Sequence, residues 1–161
     1  VNKKLLALLL LSHALVASAS EQSICNQTDK GYFLSGTITT SAKFQSASQT
    51  IQGVQISHTI LYMHNDVDGR NYQVALDNVF ATDYVKNSTS MPPSLAALKA
   101  GGRIEVCGAK YSDGTGVHWA HTNCGDVPTT SAPNGFVKKI SSTGTIGSNL
   151  ERSQAYCYLW N

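Results

Sequence analysis

Short runs in which apolar and polar residues alternate, each closed by turn-forming residues, make up most of this chain beyond residue 30. A period of two is the mark of a half-buried β-strand. Gly31 to Phe44 sets Phe33, Ser35, Thr37 and Thr39 against Leu34 and Ile38 and predicts a first strand. Val54 to His64 alternates throughout, with Val54, Ile56, His58, Ile60, Tyr62 and His64 on one face and Gln55, Ser57, Thr59, Leu61 and Met63 on the other. The segment Asn65-Asp66-Val67-Asp68-Gly69-Arg70-Asn71 is dense in turn formers and closes a hairpin onto a strand from Tyr72 to Phe80. Alternation then stops. Pro92 to Gly102 opens on prolines, continues with leucine and alanine and ends on two glycines, which predicts one short helix. Arg103 to Tyr111 predicts a strand, Ser112 to Gly116 its turn and Val117 to Asn123 the returning strand. Thr129 to Asn134 is a polar loop, and Gly135 to Ser141 suits a further strand. This order predicts a mainly β chain folded as a small OB-like barrel of five or six strands with one short helix. A β-sandwich is the competing architecture, but a barrel closes its own strand edges.

The first nineteen residues follow another pattern. Lys3 and Lys4 precede an apolar run from Leu5 to Leu11, and Ala17-Ser18-Ala19 supplies the small residues a signal peptidase requires. Residues 1–19 therefore read as a signal peptide and residues 20–161 as a single β-rich domain. The apolar stretch is shorter than the roughly twenty residues of a membrane span, so no membrane anchor is expected after cleavage. Cys25, Cys107, Cys124 and Cys157 all lie beyond the leader, in a chain bound for the periplasm or the exterior, where thiols pair. Four cysteines allow three pairings. Cys107 precedes the 112–116 turn and Cys124 follows the returning strand, so the hairpin predicts Cys107 with Cys124 and leaves Cys25 with Cys157 to tie the termini.

Charge narrows the partners. The chain has 12 Lys and Arg against 10 Asp and Glu, and loss of Lys3 and Lys4 with the leader brings the two counts level. Nucleic-acid binders carry a basic excess or a Lys/Arg stripe, because phosphate contacts dominate their affinity. Here only Lys138 and Lys139 adjoin outside the leader, which argues against nucleic acid.

Chemistry concentrates between Gly116 and Asp126, where two histidines, a tryptophan, a cysteine and an acid fall together. His118, Trp119, His121 and Asp126 are the candidate binding residues. A metal reading would recruit His118 and His121, with Cys124 or Asp126, since imidazole and thiolate suit zinc. In an extended strand, however, residues three apart face opposite ways, and Cys124 is expected to be oxidised. The plainer expectation places Val117, Trp119 and His121 on one face, with Trp119 packing the barrel. His64 with Asp66, or His58 with Asp83, is a candidate general-base pair, because a carboxylate orients imidazole. No G-x-S-x-G elbow is present. Asp66-Val67-Asp68-Gly69 has a calcium-loop flavour but lacks the spaced oxygens and closing glutamate of an EF-hand.

Val117-His118-Trp119-Ala120-His121, followed by Gly135-Phe136-Val137, resembles a family of small exported bacterial proteins of unknown function that carry a V-H-W-T-H motif and a Gly-Trp-Ile-like strand. The Asp/Gly-rich hairpin Asn65 to Val74 and the strand entry Gly101 to Val106 resemble the same family. The chain departs from that pattern in its four cysteines, in Thr122-Asn123-Cys124 and in the tail around Cys157. The resemblance implies export and an OB-like barrel and brings no known activity. The expected function is an exported domain binding a ligand or a protein partner, without a cofactor. A small secreted hydrolase, metal-dependent or not, and a secreted inhibitor or toxin-like subunit are the competing readings.

Overall fold

A single long strand organises the molecule. In the computed structural model, which describes residues 20–125 and 127–160, β1 (Tyr32–Gln45) runs for 14 residues. The leader assigned to residues 1–19 lies outside the described residues, as does Asp126.

β1 pairs antiparallel with β6 (Arg103–Lys110) through Tyr32 to Thr37 and with β4 (His58–Asn65) through Gly36 to Gln45. Register shifts after Ile38 and Thr40 bend the strand, as bulges do, so that it serves both neighbours. β4 continues antiparallel into β5 (Asn71–Asp77), β5 runs parallel to β7 (Gly116–His118), and β7 returns antiparallel to β6. The circuit β1-β4-β5-β7-β6-β1 is a closed five-stranded barrel with OB-like strand order. Closure excludes the sandwich. β8 (Phe136–Ile140) pairs with β6 outside the circuit and β9 (Ile146–Asn149) with β8, while β2 (Thr50–Ile51) and β3 (Val54–Gln55) form a separate small hairpin. The alternation predicted from Val54 to His64 is thus split between β3 and β4.

Inward-facing Leu34, Leu61, Met63, Val74, Leu76, Ile104, Val106 and Val117 fill the barrel. One end is closed by α1 (Pro93–Ala96), a single turn that buries Leu95, with Leu98 just beyond it also fully buried. The helix expected over Pro92 to Gly102 stops early for a reason visible in the hydrogen bonds. Ala42 N–H donates to the Leu98 carbonyl, Gly101 N–H to Ile38 and Ile38 N–H to Gly102, so β1 engages the backbone groups a longer helix would need. One turn cannot stand alone in water. Burying the two leucines, at about 2 kcal/mol each, holds it.

The returning strand expected from Val117 to Asn123 also ends early, at His118. Trp119 takes a left-handed backbone, φ 54°, and carries the chain off the barrel across Gly135. A Cβ on Gly135 would sit 2.5 Å from the Trp119 carbonyl oxygen and 2.6 Å from that of Cys107, so only glycine permits the crossing.

That departure corrects the disulfides. The bonds are Cys25–Cys107 and Cys124–Cys157, not Cys107–Cys124 and Cys25–Cys157. Cys107 clusters with Phe33 and Phe136 under the N-terminal π-helical turn (Ile24–Thr28), where Cys25 lies. The kinked chain instead takes Cys124 to the cluster of Val54, Val79 and Phe80, where Cys157 lies. Among the described residues no helix is long and apolar enough to cross a membrane.

Peptide mapping of the non-reduced protein is expected to recover Cys25 linked to Cys107 and Cys124 linked to Cys157. The links span 82 and 33 residues, and loop entropy values them at about 4 to 5 and about 3 to 4 kcal/mol. Replacing the first pair by serine is therefore expected to lower the denaturation midpoint more than replacing the second.

Candidate functional site

Strand alternation sends Thr59, Leu61 and Met63 of β4 and Tyr72, Val74 and Leu76 of β5 into the barrel. Their neighbours His58, Ile60, Tyr62 and His64, and Asn71, Gln73, Ala75 and Asp77, therefore form the outer face. Register sets them opposite one another as His58–Asp77, Ile60–Ala75, Tyr62–Gln73 and His64–Asn71. The Gln73 amide donates to the Tyr62 hydroxyl at 2.8 Å, and its carbonyl accepts from the Tyr111 hydroxyl at 3.1 Å. β7 lays Gly116 beside Gln73. A Cβ there would meet the Tyr111 ring at 2.7 Å, so the glycine is what lets Tyr111 lie across the face. His118, exposed, stands next to it with ring centroids 5.3 Å apart. Burial above all, with the negative charges of Asp77 and Asp113 and the neighbouring Tyr62, pushes the Tyr111 phenol upward and keeps it a neutral donor.

At the far end of this face Asp77 sits between two histidines. His58 Nε2 lies 2.6 Å from Asp77 Oδ1, and His121 Nε2 lies 3.9 Å from Oδ2. The bond to Asp77 raises His58 above its ordinary value, against the opposing effect of burial. His121 is buried, stacked on Phe80 at 3.5 Å and tilted against Trp119 at 4.8 Å. Burial lowers its affinity for a proton, and its Nδ1 lies 3.0 Å from the Thr122 carbonyl. A carbonyl only accepts, so Nδ1 carries the proton and Nε2 presents a lone pair towards Asp77. The C-terminal segment lies over this end: Ser153 N–H donates to the Phe80 carbonyl, and Trp160 stacks on Phe80 at 5.2 Å. Beneath it Glu151 is fully buried, and neither of its carboxyl oxygens has a hydrogen-bond partner among the described residues. Burial first, then the charges of Asp77 and Asp83, pushes Glu151 well above its usual range, so it is held as the neutral acid.

Of the residues singled out in the sequence, His118 is on the outer face, Trp119 is half-buried at the kink rather than packed in the barrel, and His121 faces inward. His118 therefore lies against Tyr111 in solvent, and His121 against Phe80 and Trp119 out of it. Among the described residues no set of three or more His, Cys, Asp or Glu is placed to hold a metal. Neither general-base pair drawn from the sequence forms: His64 bonds Asn71, Asp66 pairs with Arg103, and Asp83 accepts from Ser94. His58 does have a carboxylate, but it is Asp77. In the turn, Asp68 accepts from Tyr72, Asn65 and the Arg70 N–H, so its oxygens serve the hairpin and not a cation. No family model, curated protein or solved structure significantly matches the chain.

Two titrations check this geometry. Since His58 titrates above 6.5 in the fold, the stabilisation from Asp77 is full below pH 6.5 and fades as pH rises through the folded-state value. Asp77→Asn is expected to lower the NMR-measured pKa of His58 and to remove that pH dependence. Glu151 titrates above 4.5, so the native protein loses stability as pH climbs from 4.5 towards the folded-state value. Glu151→Gln is expected to abolish that loss, giving a higher denaturation midpoint than the parent at mildly alkaline pH.

Proposed function

We propose that this chain is an exported binding domain of the small bacterial family it resembles, and that it takes a ligand or partner protein on the outer face of β4, β5 and β7. The observation that carries the reading is the hydrogen-bonded row Tyr62–Gln73–Tyr111 with His118 beside it, on the side of an OB-like barrel that commonly receives ligands. Aromatic rings and neutral hydrogen-bonding groups suit a polar, uncharged surface. β4, β5 and β7 contain no lysine or arginine, which disfavours a nucleic-acid backbone. Pairing of all four cysteines supports a periplasmic or secreted location.

The His58–Asp77 contact favours one second reading, a hydrolase in which Asp77 orients His58 as general base. In that reading Asp77→Asn abolishes turnover of nitrophenyl esters or glycosides by the purified protein.

Screening the protein by amide-resolved NMR against neutral oligosaccharides, peptides and oligonucleotides is expected to shift Tyr62, Gln73, Tyr111 and His118 together. Tyr111→Ala is expected to weaken the responding ligand about tenfold, roughly 1.4 kcal/mol, with the circular dichroism spectrum unchanged. Shifts confined to another surface would overturn the assignment.

A further inference from the structure

A cleft of about 300 Å³ lies between the N-terminal π-helical turn and β8, and none of the outer-face residues lines it. That volume is at the small end of the range that holds small molecules. One wall is fixed covalently by Cys25–Cys107 and by the hydrogen bond from Asn134 N–H to the Asp29 carbonyl. Ile24 and Phe136 supply its apolar surface.

Most polar groups in the cleft are committed to the framework. The Asn134 side-chain oxygen accepts from Asn123 N–H. The Asn149 oxygen accepts from Val137 and Glu151, and its amide nitrogen donates to Thr122, Gly135 and Glu151. Lys138 Nζ pairs with Glu21 at 2.6 Å and lies 4.3 Å from the Phe136 ring centroid. Asp29 differs. Among the described residues its carboxylate has one side-chain hydrogen bond, from Asn134 Nδ2 at 3.4 Å, which is long. With Glu21 and Lys138 offsetting each other, the charge left over in the cleft is that of Asp29.

We propose that this cleft binds a small primary amine, with the ammonium group on the Asp29 carboxylate and the carbon chain along Ile24 and Phe136. An anion meets two carboxylates against one lysine and is repelled. A divalent cation requires about six oxygen ligands, more than Asp29 and Glu21 supply. A neutral hydroxyl leaves the carboxylate charge uncompensated, whereas an ammonium offsets it and donates to it. Burial already raises Asp29 above its ordinary value, and a cation in the cleft opposes that shift.

Putrescine and butane-1,4-diol, matched in length and differing in charge, are the probes for an NMR titration of the purified protein. Putrescine is expected to shift Asp29, Phe136 and Lys138 with saturation in the millimolar range, and the diol to bind at least about tenfold more weakly. Asp29→Asn keeps the backbone bond to Asn134 and both disulfides and is expected to lower putrescine affinity about tenfold. Lys138→Met frees Glu21 as a second carboxylate and is expected to tighten putrescine several-fold, an effect opposite to simple damage to the wall. Equal binding of amine and diol, unchanged affinity in Asp29→Asn, shifts confined to the Tyr62–Tyr111 face, or no saturable shift would each overturn the proposal.

Discussion

Everything in this molecule depends on β1 being shared by two neighbours. The strand gives its first half to β6 and its second half to β4, and the bend between them turns a sheet into a closed circuit. Without that bend, β4 and β5 would extend a flat sheet and the pairs along them would not curve around a common core. Closure fixes which side chains face inward, and so fixes the outer row of His58, Tyr62, Gln73 and Asp77 as a consequence of packing. The same strand draws on the backbone after Ala96, which is why the barrel end is closed by one helical turn and two buried leucines.

The second organising event is the departure of the chain at Trp119. A left-handed backbone at a bulky residue is strained, at about 1 to 3 kcal/mol, and it persists because the crossing over Gly135 and the stacking of His121 on Phe80 hold it. The kink divides neighbouring residues between two environments. His118 remains on the wet face, while His121 enters a dry one beside Asp77. It also delivers Cys124 to the C-terminal segment, so the tail that covers Phe80 is bound to the chain that turns beneath it.

The architecture was legible in the sequence, because it rests on period-two alternation and on turn residues. Arg103 to Tyr111 and the Asp/Gly hairpin lie close to where the pattern placed them. The site was only partly legible, for a reason of register. The turn formers from Asn65 to Asn71 locate the hairpin without fixing its pairing, and only the register of the folded strands sets His58 opposite Asp77. Glu151 belongs to a segment without regular periodicity, Phe80 ends the strand the alternation predicts from Tyr72 but in the fold lies in the helical turn Asn78–Phe80 that follows β5, and nothing local marks either as a neighbour of His121. The hairpin pairing of Cys107 with Cys124 requires the strand after Val117 to continue beside β6, and it ends at His118. A positive φ at a tryptophan has no sequence signature, whereas at a glycine it would have been expected.

The disulfide topology has a consequence for how the chain is made. Each native bond joins cysteines that are consecutive in the sequence, Cys25 with Cys107 and then Cys124 with Cys157. Wherever oxidation accompanies synthesis, a chain made from its N-terminus exposes the first pair before either member of the second exists as a competitor. Joining each new thiol to the one still waiting yields the native set directly, with no wrong bond to be reshuffled. The first bond also closes around β1, β4, β5 and most of β6, so by the time the tail appears the barrel it will cover already has nearly all of its wall.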